Sequence, residues 1–492
     1  MSKRIRKLLS TALALTLLLA AAAFAQAENT ELEPYHIKWY ITGPMPQPGA
    51  DRVMARVNEL LEPINATLEM VSTDFGNYVQ KMQLVISAGE PFDLCYTSNW
   101  SLPFYATANS GAFLALNDYL ETYCPTILET LPSVGWTAAS IHGGIYAIPN
   151  LQIWAKAEGF VIRKDIADKY GFDVSVLADT YDMATIEPLL AAIQANESPE
   201  IIPIGLCAGR GIYSNHNHEE IGGPQLPGVV KLYDDTCTVI NQFTDEAFVY
   251  TMNLARDWYL KGYVVPDAAV LGDMYAQQKA GLVATTGEGA WKPGGDVVAK
   301  QQMGGRDIYD IRVSDPYMTN AMLISTMTAV SATSQNPERA LMFYDMIFSS
   351  KELYNTITLG MENVDYKFNE DGTASTIPNS GYDVSTYGWE FGNQFNQYVM
   401  EGQPLDVWEQ TIELNNTAKA SPLIGWTFDP EPIAAEIAAV SAVTGEYNRL
   451  LLTGSVDPET VYPEFLAKLD AAGAQKIIEE EQRQIDAWKA GQ

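Results

Sequence analysis

Positive charge is scarce in this chain. Its 30 Lys and Arg stand against 61 Asp and Glu, a formal net charge of −31. So acidic a chain excludes a nucleic-acid partner, because neutralising phosphates takes Lys and Arg on the binding face. It argues equally against a polybasic contact with anionic lipid. Histidine is scarcer still, at four residues, which leaves His-dependent catalysis few places to sit. Cysteine also numbers four: Cys95, Cys124, Cys207 and Cys237. None are in a C-x-x-C spacing, which argues against zinc. Four Cys allow three disulfide pairings; a Cys207–Cys237 bridge closing a loop is one expectation and buried free thiols the other. There is no G-x-S-x-G elbow, no phosphate loop and no reactive Cys with a His-partner signature. No enzyme, no cofactor and no metal are therefore expected. After the run Leu8–Phe24, no second apolar stretch of about 18 residues recurs.

Apolar side chains are plentiful, at 47% of 492 residues, and aromatics reach 11%. That is ample core for two or three domains at roughly 150 residues each. The first 27 residues read as a targeting segment. Lys3, Arg4, Arg6 and Lys7 are followed by the apolar run and then by Ala25-Gln26-Ala27, a small-x-small cleavage pattern. A secretory signal peptide over 1–27, cleaved near Ala27, is expected, with an uncleaved anchor as the rival reading. No Cys lies near that point, so a lipid anchor has no acceptor residue. Removing four cations leaves 26 − 61, a charge of −35.

From His36 the pattern alternates strand and helix. His36–Ile41, Leu68–Val71 and Phe92–Tyr96 read as strands, and Asp51–Leu61 and Tyr78–Ser87 as helices. This β-α-β-α-β order implies a parallel sheet with helices on its faces. Ligands of such sheets bind beyond the carboxyl ends of the strands, where the loops Thr42–Gly49 and Thr97–Ser101 are expected. His142–Asn150 reads as a hairpin leading into an extended crossing. A second α/β unit begins near residue 155, with a strand at Phe160–Arg163 and helices at Lys164–Tyr170, Thr185–Asn196 and Glu246–Lys261. Asn320–Ser331 is apolar and β-prone, and Pro337–Ser349 is a helix with Pro at its start. Three terminal helices are expected at Pro432–Leu452, Asp457–Ala472 and Ala474–Trp488.

Several segments resemble the extracellular solute-binding proteins of carbohydrate-type ABC importers (family 1). Phe92-Asp93-Leu94 with Gly111–Asn117 is similar to the family's first-lobe pattern, and Gly143–Pro149 to its G-K-x-Y-A-x-P crossing, with Gly144 in place of Lys. Arg163-Lys164-Asp165 with Lys169-Tyr170-Gly171 resembles the opening of the second lobe. Trp258-Tyr259, Gly262 and Pro266-Asp267 resemble its W-Y-x-x-G-x-x-x-P-D, and Asn336–Ala340 its N-P-E-x-A helix start. Ser349–Gly360 and Gly425–Pro430 through Trp488 narrow the likeness to a lipoprotein-like subgroup (LipO-like) that ends in a C-terminal domain of unknown function. Many of those relatives are lipoproteins, and this chain lacks their acceptor Cys.

The resemblance spans residues 35–490. It implies an α/β, two-lobed periplasmic-binding-protein-like (type II) fold with hinge crossings and a helical C-terminal region. The implied division is 28–150 for lobe 1, 151–318 for lobe 2, 319–360 for a return to lobe 1, and 361–492 for completion of lobe 2 plus the helical domain. Crossings are implied near Ile148–Ala155, near Arg312–Leu323 and after Leu359. Closure is hinge bending at a few residues.

A sugar site needs aromatic platforms for C–H faces and polar side chains for hydroxyls. Position selects the candidates among ten Trp. Trp39 and Tyr40 end the first strand, and Tyr96, Asn99 and Trp100 the third. Trp154 sits in the implied hinge, and Glu288 and Trp291 lie in the loop Gly287–Gly294. Trp389 and Trp426 are second-lobe candidates. Trp258 and Trp488 read as packing. His216-Asn217-His218-Glu219-Glu220 matches no helical zinc motif and reads as a surface loop; Asp234-Asp235 and Asn369–Gly372 read as turns rather than calcium loops. The expected function is a secreted receptor, periplasmic or extracellular, that captures a sugar, an oligosaccharide first of all. It would act as a monomer with the membrane permease subunits of an ABC importer and without nucleic acid. The alternatives are a peptide-binding receptor and a secreted polysaccharide-degrading enzyme with paired carboxylates.

Overall fold

A computed structural model describes residues 32–43, 47–208, 218–232 and 234–491. The expected signal peptide and His216 lie outside them. The first lobe opens as its sequence pattern predicts: β1 (Tyr35–Thr42), α1 (Ala50–Leu60), β2 (Ala66–Thr73), α2 (Phe75–Ala88) and β3 (Leu94–Thr97). Asp74 caps α2 by accepting from the Asn77 N–H, and Gly89 ends it in the left-handed region. β1 pairs in parallel with both β2 and β3. After a short helix α3 (Ser133–Ala138) the chain reaches β4 (Ile148–Pro149), at the far edge of the same sheet.

The chain then crosses into a second sheet, built from β5 (Ala157–Arg163), β6 (Ile202–Ile204), β10 (Val283–Trp291) and β11 (Ile308–Arg312) in the order β11-β5-β10-β6. Between these strands lie a small antiparallel sheet of β7 (His218–Glu220), β8 (Gly228–Lys231) and β9 (Ile240–Asn241), and the helix α4 (Glu246–Leu260). The helix α5 (Gly295–Gln302) links β10 to β11. The surface loop expected around His218 is thus a strand, with His218 and Glu219 both buried. The run His218-Glu219-Glu220 is polar throughout and carries no strand alternation, and only the β8 pairing makes it a strand.

The second crossing carries β12 (Tyr317–Met318) back to β13 (Met327–Val330), which lies antiparallel between β3 and β4. The β-prone stretch Asn320–Ser331 is therefore split: Thr319 caps a one-turn helix over Asn320–Leu323 before the strand begins. α6 (Pro337–Ser349) and α7 (Lys351–Leu359) complete this lobe. The following segment departs from the expected division. Tyr382, Val384 and Phe391 are buried in the first-lobe core, not the second. Asn369–Gly372 is a hairpin turn, where Asp371 accepts from the Thr373 N–H and hydroxyl.

The third crossing runs through α8 (Val407–Thr417) and β14 (Lys419–Ala420), which pairs in parallel with β12. The chain ends in α9 (Ala434–Leu452), α10 (Pro458–Ala472) and α11 (Ala474–Ala490). These share a core with α4 through Phe243, Phe248, Phe465 and Ile477, so the helical region is docked on the second lobe. All four Cys are buried and none is in a disulfide, so no Cys207–Cys237 bridge forms. Among the described residues, no helix is long and apolar enough to cross a membrane.

A matched pair of glycines tests the packing around the first crossing. A Cβ on Gly135 in α3 would lie 2.8 Å from Trp154, a side chain only 2% exposed. Gly135→Ala should therefore destabilise by about 1–3 kcal/mol, although Ala favours a helix. Exposed Gly445 in α9 meets nothing within 4 Å, so Gly445→Ala should stabilise by about 0.5–1 kcal/mol. Denaturant titration of both variants reads the contrast; equal effects would show that the Trp154 contact yields freely.

Candidate functional site

The carboxyl ends of β1 and β3 meet the start of α2 and the segment 385–390 at the mouth of the first lobe. Five aromatic rings gather there: Phe75, Tyr96, Trp100, Tyr387 and Trp389. Phe75 lies nearly parallel to Tyr387 (5.8 Å, 13°) and to Trp389 (6.0 Å, 16°). Tyr387 and Trp389 are 6.3 Å apart at 28°. Trp100 is 5.7 Å from Phe75, 5.9 Å from Tyr96 and 6.4 Å from Trp389. Trp100 is 53% exposed and Phe75 38% exposed. Tyr387 and Trp389 are half-buried and Tyr96 is wholly buried beneath them, so the open rings form an apolar patch at the end of the sheet, of the kind that lines small-molecule sites.

Hydrogen bonds fix the rings from below. The Trp100 Nε1–H and the Tyr96 hydroxyl both donate to the Ser325 carbonyl, at 2.9 and 3.2 Å. Ser325 belongs to the second crossing, so these two bonds tie the rings to it. Trp389 Nε1–H donates to the Thr386 carbonyl at 3.0 Å. Gly43 lets the Tyr387 ring approach: its φ is +122°, and a Cβ there would stand 3.2 Å from the ring. Beside Trp389, the wholly buried Glu390 accepts from the Thr42 N–H and hydroxyl, both at 2.7 Å. Burial pushes this carboxyl up to about 8, while the two Thr42 hydrogen bonds pull it down. Asn150 donates to the Glu390 carbonyl at 2.7 Å and accepts from the Tyr344 hydroxyl, tying the site to the first crossing.

Of the residues expected from sequence, Trp100 and Trp389 come together here, and exposed Asn99 flanks them with its N–H on the Ile324 carbonyl; Tyr96 is a correction in part, since it is 0% exposed and packs beneath these rings rather than facing solvent. Trp389 is a correction in one respect, since it belongs to the first lobe rather than the second. Trp39 and Tyr40 are corrections outright. Trp39 is 0% exposed, edge-on to Phe343, Tyr344 and Phe391, and Tyr40 is buried against Phe92. A parallel sheet covered on both faces buries both. Trp154 is also core, its Nε1–H on the Asn150 carbonyl at 2.9 Å. Trp426 packs beside Phe428 in the core that holds Ile485. Trp258 and Trp488 pack as expected. Sequence reasoning missed Phe75 and Tyr387. The position of Phe75 directly after β2 was the available signal; Tyr387 had only its neighbour Trp389.

On the second lobe, Trp291 ends β10 opposite Ala157, and the Glu288 backbone pairs with Gly159. Arg312 pairs with Gly159 from the other side, and its guanidinium lies 5.8 Å from the centre of the Trp291 ring. This puts a half-buried indole under a cation at the crossing end of the second sheet. The nearby Glu158 accepts from the Tyr317 hydroxyl at 3.0 Å. Among the described residues, no group of three or more His, Cys, Asp or Glu is placed to hold a metal ion.

Comparison with known proteins bears on this geometry. A family model described as bacterial extracellular solute-binding protein matches residues 62–353, and a domain of unknown function matches residues 422–490. A carbohydrate ABC transporter substrate-binding protein of Streptococcus pneumoniae serotype 4 is 26% identical over 461 residues, covering 92% of this chain and 90% of its own. Among solved structures, the N-glycan transport solute binding protein of S. pneumoniae aligns with a TM-score of 0.81 at 24% identity, over 92% of this chain and 99% of that one. The same protein in complex with Man5GlcNAc gives 0.66 at 23% identity, over 94% and 99%. These likenesses carry the two-lobed fold.

Proposed function

The chain belongs to the bacterial extracellular solute-binding protein family, and from that premise we propose that it is a non-catalytic receptor for an oligosaccharide. It binds the sugar between its lobes, outside the cytoplasmic membrane, and presents it to the permease of an ABC importer. It acts as a monomer, exported by a signal peptide over residues 1–27. The observation that carries this reading is the five-ring group beside the second crossing, with Trp100 half exposed. Pyranose C–H faces stack on such rings, and hydroxyls take the rim groups. Asn99 and the Trp291–Arg312 pair are the polar and second-lobe partners in this reading, with Glu288 beside them. The relatives named for carbohydrate and for N-glycan transport support the ligand class.

The test is a thermal-shift and tryptophan-fluorescence screen of the purified protein against oligosaccharides, Man5GlcNAc among them, and against short peptides. Each hit is followed by chromatography of the ligand. A hundredfold excess over Kd should stabilise the folded state by about 2.7 kcal/mol, with the sugar recovered intact. A hit on peptides alone, or a sugar recovered cleaved, would overturn the reading.

A further inference from the structure

The first crossing, residues 150–156, owes its shape to one side chain far along the sequence. Its ends are paired to backbone. Asn150 N–H donates to the Thr326 carbonyl; Leu151 N–H donates to the Gly392 carbonyl and its own carbonyl accepts from Gln394 N–H; Lys156 and Tyr317 exchange two hydrogen bonds at 2.8 Å. Between those ends, at Gln152–Ala155, the chain runs with no strand beside it. Gln152, Trp154 and Ala155 are all buried, at 7%, 2% and 5% exposure, so their backbone groups need partners other than bulk water.

Asn415 of α8 supplies three of them. Its Oδ1 accepts from the Trp154 N–H and the Ala155 N–H, each at 2.9 Å, and its Nδ2 donates to the Gln152 carbonyl at 2.8 Å. One amide thus does for the crossing what a neighbouring strand would do. The helix that carries it reaches both lobes. Val407, its first residue, lies against Gly294 at the end of the Trp291 loop, where a Cβ would come within 2.9 Å of it. Trp408 packs on Phe395 and donates to the Gln397 carbonyl on the first-lobe side.

We infer that Asn415 is a positioning residue for ligand capture: it clasps the first crossing and so narrows the range of angles between the two lobes. It touches no candidate sugar platform itself. Its effect on binding passes through Gln152–Ala155, where Asn415 holds three backbone groups; the Gln152 amide on the Thr326 hydroxyl and the Trp154 indole on the Asn150 carbonyl remain, so losing Asn415 loosens the backbone at those three points. Without the clasp, the arrangement that grips a ligand becomes a smaller fraction of a wider ensemble, and apparent affinity falls by that fraction.

The experiment measures the angle directly. Leu84 on α2 and Leu260 on α4 are exposed, at 64% and 68%, one on each lobe. Both are replaced by Cys and spin-labelled; the four native thiols are buried and stay unlabelled. Pulsed dipolar spectroscopy is run without sugar on the parent, Asn415→Ala and Asn415→Asp. Asp keeps an acceptor for both N–H groups and sets a carboxylate oxygen, in place of the donor, against the Gln152 carbonyl. The expected result is a broader distance distribution for Asn415→Ala and an intermediate width for Asn415→Asp. Equal widths in all three would overturn the inference, even if both variants melt earlier, since a purely structural cap would change stability and leave the lobe angle alone. Asn415→Asp decides the matter should Asn415→Ala not fold. A second arm titrates Man5GlcNAc and rests on the sugar reading: Asn415→Ala should bind about 5-fold more weakly or worse. Failure of the parent to bind any oligosaccharide would sink the sugar reading, while the distance arm would still decide the clasp.

Discussion

Trp389→Ala should weaken oligosaccharide binding by at least about 30-fold, the equivalent of about 2 kcal/mol for a central aromatic anchor. Trp389 is in ring contact with four other aromatics, Phe75, Tyr96, Trp100 and Tyr387. Truncating it removes one apolar face and also lets Phe75 and Trp100 fold into the gap. The loss therefore exceeds that of one contact. Fluorescence or calorimetric titration with Man5GlcNAc measures it. Trp39→Phe is the control: Trp39 is 0% exposed on the core side of β1, so the change should lower stability and leave affinity unaltered. Undiminished binding by Trp389→Ala would move the sugar to the Trp291–Arg312 pair on the second lobe. That outcome would be checked with Trp291→Ala.

Replacing Glu481 with Leu should raise the stability of the C-terminal region by about 2–3 kcal/mol at pH 7. Glu481 lies on α11 between Ile477 and Ile485, fully buried, and neither carboxylate oxygen has a hydrogen-bond partner. Its carboxyl presses on Gly228 of β8 so closely that a Cβ there would overlap it. Burial alone pushes it up to about 8. The folded form therefore keeps its proton over a range where the unfolded chain has lost it, above about 4.5. The folded state binds more protons than the unfolded one between those values, so this group costs stability progressively as pH rises from about 4.5 to 8. Leu removes the titration and fills a similar space. Calorimetric scans at pH 5 and 8 should show the parent losing more than Glu481→Leu between the two. Parallel losses would mean that Glu481 is not the source. Glu390 is raised to the same level yet differs in kind, because two Thr42 donors hold it. Replacing it with Leu would strand both donors and destabilise.

Local pattern carried much of the fold. The apolar face Val53, Val57, Leu60 and Leu61 predicts a helix over Asp51–Leu61, against Ala50–Leu60 in the structure, and the punctuation at Gly89 and Pro91 marks where the next helix stops. The strands β1 and β3 were legible because a covered parallel strand is a short apolar run. The same property hid the site. In a strand buried on both faces, Trp39 and Tyr40 carry no mark of which side they occupy, and nearness to the strand end made them look like cleft residues. β7 failed in the opposite way: His218-Glu219-Glu220 is polar, and its burial comes from β8 and from Ser421, whose hydroxyl bonds Glu219.

By itself, then, the sequence determined the first lobe's opening strands and helices and the excess of acid and aromatic side chains, which depend on residues within a few turns of one another; the crossings were implied only by the family resemblance. Which aromatics share a mouth was decided only by the tertiary structure. Phe75 opens the helix after β2 and Trp100 lies in the loop after β3, the two strands that flank β1, while Tyr387 and Trp389 arrive from a segment that joins the first lobe after a long excursion through the second. The three-bond clasp of Asn415 on Gln152–Ala155 is of the same kind. Contacts between segments so distant in the chain leave no periodicity to read, because they are set by packing against a shared core rather than by neighbours in sequence.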